Sequence, residues 1–585
     1  MTKVFTDNNK KTLFETVILA GLSLLSAFSF VFLFLDFESY SQFVLLVGIC
    51  LYTIYKNLFK YFQQCKNKPV KLLSCPIAFL LSISLALTSG VENYFDGFEA
   101  SKVALLVFVV AVSGLAILLW QVMVWFVDKV ACVETTCFDK MPSRKVFLLS
   151  WVIMLLIWLA FYTCYYPGII TPDTIGQINI AYGKQVWSNH HPVLHTLLIE
   201  LFMKLGNNNP VWYMLFQMAF MTGVFSYCCY YLWQKKAPKW VVIFAAVFFA
   251  FHPIHAYSGF TMVKDSLFSG FVLLLTLCLC EIGLSKGEII KKASFVFFMI
   301  FSTLGVLFFR NNGFMVVLLC AALVPVFVKN CRIRICGAMV SCLVLFFAVT
   351  TFLYPVLNIA QSSLAESLAI PIQQIARVVY ENKELDAETL SYINDIIPLS
   401  DLRESYLSTT VDVLKFHENF DINVISSDML RFLKVWASIL VKYPLTYVEA
   451  YLLQTRCLWD LGVHAGLIEN FYNSTTYTDL RMTPLLGPIS GVIHTVFNIS
   501  QFSSYAFVTT PFWNIAICYV VVCICSLVNF AKKQKSRILI SLPVIAVWLS
   551  LAVAIPAALV GRYLYSVFAC LPLIVGSCFI KTTDE

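Results

Sequence analysis

The densest group of potentially reactive residues is Tyr166-Pro-Gly-Ile-Ile-Thr-Pro-Asp173, followed by Trp187-Ser-Asn-His190-His191-Pro192-Val-Leu-His195. Pro167, Gly168 and Pro172 must end one helix and force a turn. Asp173 then opens a short helix, where the N-terminal dipole favours a carboxylate. Alone, this aspartate reads as a helix cap, and His190 and His191 read as packing ahead of Pro192. Three further turns change that balance: Thr261-Met-Val-Lys264-Asp265-Ser266, preceded by His252-Pro-Ile-His255; Arg310-Asn-Asn-Gly313; and Gly561-Arg562-Tyr563. Brought together, they would set three cations beside one carboxylate. Lys264, Arg310 and Arg562 would hold a lipid phosphate or pyrophosphate, and would stabilise charge on a phosphate leaving group. Asp173 would take the proton of an incoming hydroxyl as general base. His190 and His191 are candidates to orient Asp173 or touch the phosphate, and Asp265 is the candidate second carboxylate.

The elements that must position these turns are membrane spans. Of 585 residues, 59% are apolar and only 13% charged, against about 25% charged in a soluble domain. Many apolar runs approach the roughly 20 residues that cross a bilayer core. Spans are expected near 12–35, 41–58, 72–89, 102–126, 146–166, 210–233, 238–257, 265–283, 292–309, 313–329, 335–355, 507–531, 537–557 and 563–580, about fourteen in all. The fold class is therefore all-α and polytopic. The first run is too long for a signal-peptide core and is read as a retained span.

The net charge of +8 matters less than its placement. Lys and Arg cluster in alternate connectors: Lys56 to Lys71, Lys140 to Lys145, Lys235 to Lys239, Lys286 to Lys292, Lys329 to Arg334, and Lys532 to Arg537. The positive-inside rule puts that set, and both termini, in the cytoplasm. The turns carrying Asp173, Lys264, Arg310 and Arg562 then face the extracytoplasmic side. Charges at the hydrocarbon edge are costly and tend to mark function. No basic stripe interleaved with aromatics appears, which speaks against a nucleic-acid partner. No Gly-rich phosphate loop or Rossmann fingerprint appears either, which speaks against a nucleotide-sugar donor on a cytoplasmic domain.

The chain divides into residues 1–145, N-terminal spans and cytoplasmic loops; 146–355, a transmembrane core with a long outer loop at 167–209; 356–505, a helical extracytoplasmic domain; and 506–585, the C-terminal spans. Within 356–505, apolar residues recur at three- and four-residue spacing. Gln373, Gln374 and Arg377 in that domain are candidates to cover the site or contact an acceptor, against the plainer reading of an ordinary helix face. Trp459, Asp460 and His464 form another polar cluster there, read as packing. Cysteines number 20, but Cys457 is alone in the long polar segment, so no disulfide framework forms there. That fits a bacterial plasma membrane. Cys132 and Cys137 are spaced like weak metal ligands but lack a second pair.

The Asp-Thr…Gln…Asn-His-His-Pro loop, the Lys264-Asp265 turn and the Arg310-Asn-Asn-Gly turn resemble the GT-C superfamily of integral membrane glycosyltransferases, which includes protein mannosyltransferases and lipid A aminoarabinose transferases. The resemblance spans about residues 146–580, and the likeness in fold is stronger than that in substrate. It implies Asp173 at the acidic position of the first long outer loop, and Val193 to Leu205 as the amphipathic helix behind it. It also implies transfer of a sugar from a polyprenyl-phosphate donor to a glycan, lipid or protein acceptor on the outer face. Two departures stand out: about four spans precede the loop, and Thr174 replaces the second acid of the Asp-Glu pair, which leaves divalent-metal use open.

Two other classes compete. A transporter or lipid flippase would place protonatable residues near mid-membrane, in paired halves. A non-catalytic envelope-assembly protein would tolerate Asp173→Asn.

Overall fold

In hydrocarbon every backbone N–H and C=O must be satisfied internally, so long apolar segments fold as helices. A computed structural model describes residues 2–35, 40–88, 90–133, 143–462, 483–502, 513–558 and 561–580. Among the described residues, the expected spans fall on helices or bent helix pairs; the start of the one expected at 507–531 lies outside the described residues. Among the described residues, nine helices are long and apolar enough to cross a membrane, ten if the pair Lys239–Phe251 and Pro253–Gly259 counts as one. Ala293–Phe309, Gly313–Phe327 and Ile515–Ala531 are apolar but shorter. The protein is an all-α polytopic membrane protein.

Its centre is the Lys264–Leu284 helix, whose apolar stretch is 89% buried. A helix apolar all round belongs inside a bundle, and this one packs against Ala293–Phe309, Tyr565–Ser577 and Val211–Gln234. Its far end meets Arg537 and Ser536, the latter donating to the Gly283 carbonyl at 2.8 Å. Its N-terminus carries Lys264 and Asp265.

Two local devices fix that N-terminus. Pro253 lacks the N–H a continuing helix needs, so the chain bends by 53° after Phe251 and His252 caps the new turn through the Ile254 N–H. Gln217 then gathers the carbonyls of Ser258, Gly259 and Thr261 at 2.9, 3.0 and 2.7 Å. The only strands among the described residues, Ile169–Ile170 and Thr261–Met262, pair in parallel with Ile169 opposite Thr261. This pairing brings the segment leading to Asp173 alongside the segment leading to Lys264.

Over the same end of the bundle sits a helical cap with its own core, including Ala376, Val378, Ile393, Ile425 and Phe432. The Val411 N–H donates to the Pro556 carbonyl at 3.0 Å, and Asn189 donates to the Ala360 carbonyl at 2.7 Å. The cap also leans on the N-terminal spans through the short helix Val91–Ala100. Arg377 lies 3.5 Å from Glu92, and Lys383 pairs with Glu99. The Gly487–Phe502 helix packs elsewhere, with Ser490 donating to the Cys164 carbonyl.

Candidate functional site

Asp173 lies in the first turn of the helix Pro172–Ala181, with Pro172 inside the start and Thr171 accepting from the Thr174 N–H. The 167–209 loop continues into the helix Val193–Leu205, at the bounds read from the sequence. Behind this loop is a buried polar chain. His195 meets Gln177 at 2.9 Å and the Tyr213 hydroxyl at 2.7 Å, and Tyr213 donates to Gln217. The Gln217 that grips the Lys264 segment is thus tied to the helices carrying Asp173 and His195.

The four turns singled out in the sequence converge. Lys264 Nζ lies 3.1 Å from Asp173 Oδ2, and Arg562 Nη2 donates to the same oxygen at 2.9 Å. Arg562 Nε is 3.8 Å from Asp265 Oδ2. Arg310 Nη1 donates to Asp265 Oδ1 at 2.7 Å and to the Tyr563 carbonyl at 3.1 Å. Charges alternate along the row Lys264, Asp173, Arg562, Asp265, Arg310. Lys264 also donates to His191 Nδ1 at 3.0 Å.

The environment sets the protonation states. Burial raises the Asp173 pKa, but the charges of Lys264 and Arg562 outweigh it and hold the carboxyl well below the usual range. Burial, reinforced by Lys264, pushes the His191 imidazole down to about 2. It is therefore neutral, with Nδ1 free to accept from the lysine. Burial also lowers the pKa of His190, against the pull of Glu366.

Asp173, His190, His191, Lys264 and Arg310 line one cavity of about 570 Å³ between bundle and cap. Asp265 and Arg562 belong to the charge row but lie outside the cavity lining: the Asp265 side chain is 2% exposed and turned to the two arginines, and Arg562 sits behind Asp173. Gln373, Gln374 and Arg377 do not line the cavity. Gln373 donates to the Leu407 carbonyl, Gln374 bridges the Tyr447 carbonyl and Trp436, and Arg377 is consumed by Glu449 and Glu381. Their polarity serves the cap's interior. Asp460 is likewise internal, paired with Arg456; His464 and Cys137 lie outside the described residues.

Sequence reasoning missed the opposite wall of the cavity. Glu366, Asp412, Lys415 and Phe416 of the cap all line it. Lys415 lies 2.7 Å from both Glu366 and Asp412, and Glu366 lies 3.9 Å from His190 Nδ1. Glu366 and Lys415 sit in single turns, too short for a helical period to announce them.

Among the described residues, no group of three or more His, Cys, Asp or Glu is placed to hold a metal ion. The comparisons with known proteins bear on the same region. Residues 182–583 match a family of unknown function, DUF6020. The chain belongs to the DUF6020 family. The matched stretch takes in Lys264, Arg310, Arg562, both histidines and the whole cap wall, and begins just after Asp173. No curated protein and no solved structure matches the chain.

Proposed function

We propose that this DUF6020 chain is a membrane glycosyltransferase, moving a sugar from a polyprenyl-phosphate donor to an extracytoplasmic glycan, lipid or protein acceptor. One observation carries the reading: Lys264 and Arg562 converge on a single oxygen of Asp173, and Asp173, Lys264 and Arg310 line one cavity. Three cations against two carboxylates leave the row with one net positive charge. Lys264 opens a helix, where the dipole disfavours a cation and favours an anion. A bound phosphate would answer both. The extracytoplasmic placement rests on the alternation of basic connectors.

An ionised, doubly paired Asp173 is a weak base while Lys264 and Arg562 hold it. A donor phosphate drawing Lys264 and Arg562 to itself removes the two charges that depress the carboxyl, so basicity rises as the donor binds. The acceptor oxygen then attacks the anomeric carbon and the bond from that carbon to the phosphate oxygen breaks. The electron pair leaves on the lipid phosphate, held by the cations, and the acceptor proton passes to Asp173. Arg310, stacked on Tyr563 and fixed by Asp265, keeps its charge at the cavity wall.

The test is transfer from polyprenyl-phosphate sugars in proteoliposomes. Asp173→Asn should lower turnover by about 100-fold or more while the protein still inserts. Unchanged turnover would remove the mechanism. Movement of the intact sugar-lipid across the bilayer, without transfer, would favour a flippase.

A further inference from the structure

The cavity has two walls of opposite sign. The bundle wall carries the net positive row. The cap wall carries Glu366 and Asp412 against the single charge of Lys415, one net negative charge. Lys415 is almost fully enclosed, its side chain 3% exposed, and both carboxylates hold it at 2.7 Å. The carboxylates keep free faces toward the cavity, with Glu366 28% and Asp412 40% exposed. Beside them Phe416 is 65% exposed although it lines a cavity, its ring flanked by Lys415 and set nearly perpendicular to the His190 ring. The segment is held in place, because Val411 and Thr410 both donate to the Pro556 carbonyl at the end of the Leu542–Ala554 helix.

Carboxylates accept hydrogen bonds from hydroxyls, and an open phenyl face packs against C–H groups. An anion placed on this wall would be repelled. We propose that Glu366, Asp412 and Phe416 form a sugar-recognition subsite that takes a neutral or amino-bearing sugar and rejects an acidic one. The bound donor then spans the cavity, its phosphate on Lys264 and Arg310, backed by Arg562 through Asp173, and its sugar against the cap. This rests on the glycosyl-transfer reading and adds to it the class of sugar.

The test uses the full-length protein in nanodiscs and three probes: a short-chain polyprenyl phosphate, its glucosyl ester and its glucuronosyl ester. The parent should bind the glucosyl ester at least about fivefold tighter than the glucuronosyl ester. Glu366→Gln should narrow that gap to about twofold or less, and Asp412→Asn, which leaves the Glu366–Lys415 pair intact, should narrow it too. Phe416→Ala, at an exposed ring, should weaken the glucosyl ester about threefold or more without changing the affinity for polyprenyl phosphate. If polyprenyl phosphate binds but the parent shows no gap, or the gap survives both acid substitutions, the subsite is wrong and the glycosyl-transfer reading stands. If polyprenyl phosphate itself fails to bind, that reading falls and the subsite with it.

Discussion

Arg310 and Tyr563 hold each other twice: the guanidinium lies 4.4 Å from the ring centroid and also donates to the Tyr563 carbonyl at 3.1 Å. The carbonyl bond survives any side-chain change, so the ring's share can be isolated. Tyr563→Phe, which keeps an aromatic face, should change donor-phosphate affinity by less than about twofold. Tyr563→Ala should weaken it by about three- to tenfold, the worth of a partly desolvated cation–π contact. Titration with polyprenyl phosphate measures both.

The cation pair on Asp173 predicts an acid-sensitive stability. Its folded pKa is depressed, so its contribution is complete above the unfolded carboxylate range and drains away as pH falls below about 4. Asp173→Asn should lower the thermal midpoint at pH 7, because Lys264 and Arg562 lose the carboxylate they share. The cost is about 1–3 kcal/mol. The difference between parent and variant should shrink steadily below about pH 4. Thermal melts across that range decide it; a difference that does not depend on pH would contradict the pairing.

His191 predicts acid sensitivity in a different window. The imidazole is neutral in the folded protein down to about pH 2 but titrates near 6.5 when unfolded, so the unfolded chain gains a proton first. Below about pH 6.5 this group costs the folded state up to about 1.4 kcal/mol per pH unit. His191→Gln should flatten the loss of stability between about pH 6 and pH 4 relative to the parent. A parallel loss in both proteins would mean that His191 is already protonated in the fold.

The parallel pairing of Ile169–Ile170 with Thr261–Met262 predicts a backbone effect on function. Ile169 N donates to the Phe260 carbonyl at 2.9 Å, and proline there removes the donor. Ile169→Pro should weaken polyprenyl-phosphate binding at least about tenfold by separating Asp173 from Lys264, while Ile169→Ala keeps the hydrogen bond and should stay within about threefold. Equal effects of the two would place the cause in side-chain packing.

Much of this architecture could be read from residue types. The spans declared themselves through long apolar runs, and Pro172 and Pro192 marked where the helices at Asp173 and His195 begin. The cations at Lys264, Arg310 and Arg562 stood out because charge at a hydrocarbon edge is rare. What brings them together could not be read. A strand of two residues has no alternation to detect, and the grip of Gln217 on three carbonyls joins positions more than 40 residues apart. That Gln373, Gln374 and Arg377 lie off the cavity lining was hidden for a related reason. Polar residues on a helix suggest an exposed face, and here that face meets Tyr447, Trp436 and Glu449 inside the cap.

The ion pairs from Arg377 to Glu92 and from Lys383 to Glu99 give the first helices of the chain a mechanical hold on the cavity's roof. Those helices precede the region the family shares, yet they grip the domain that supplies Glu366 and Phe416. A lean of that N-terminal post, transmitted through salt links worth little singly, would raise or lower the roof over Asp173 without touching a reacting atom.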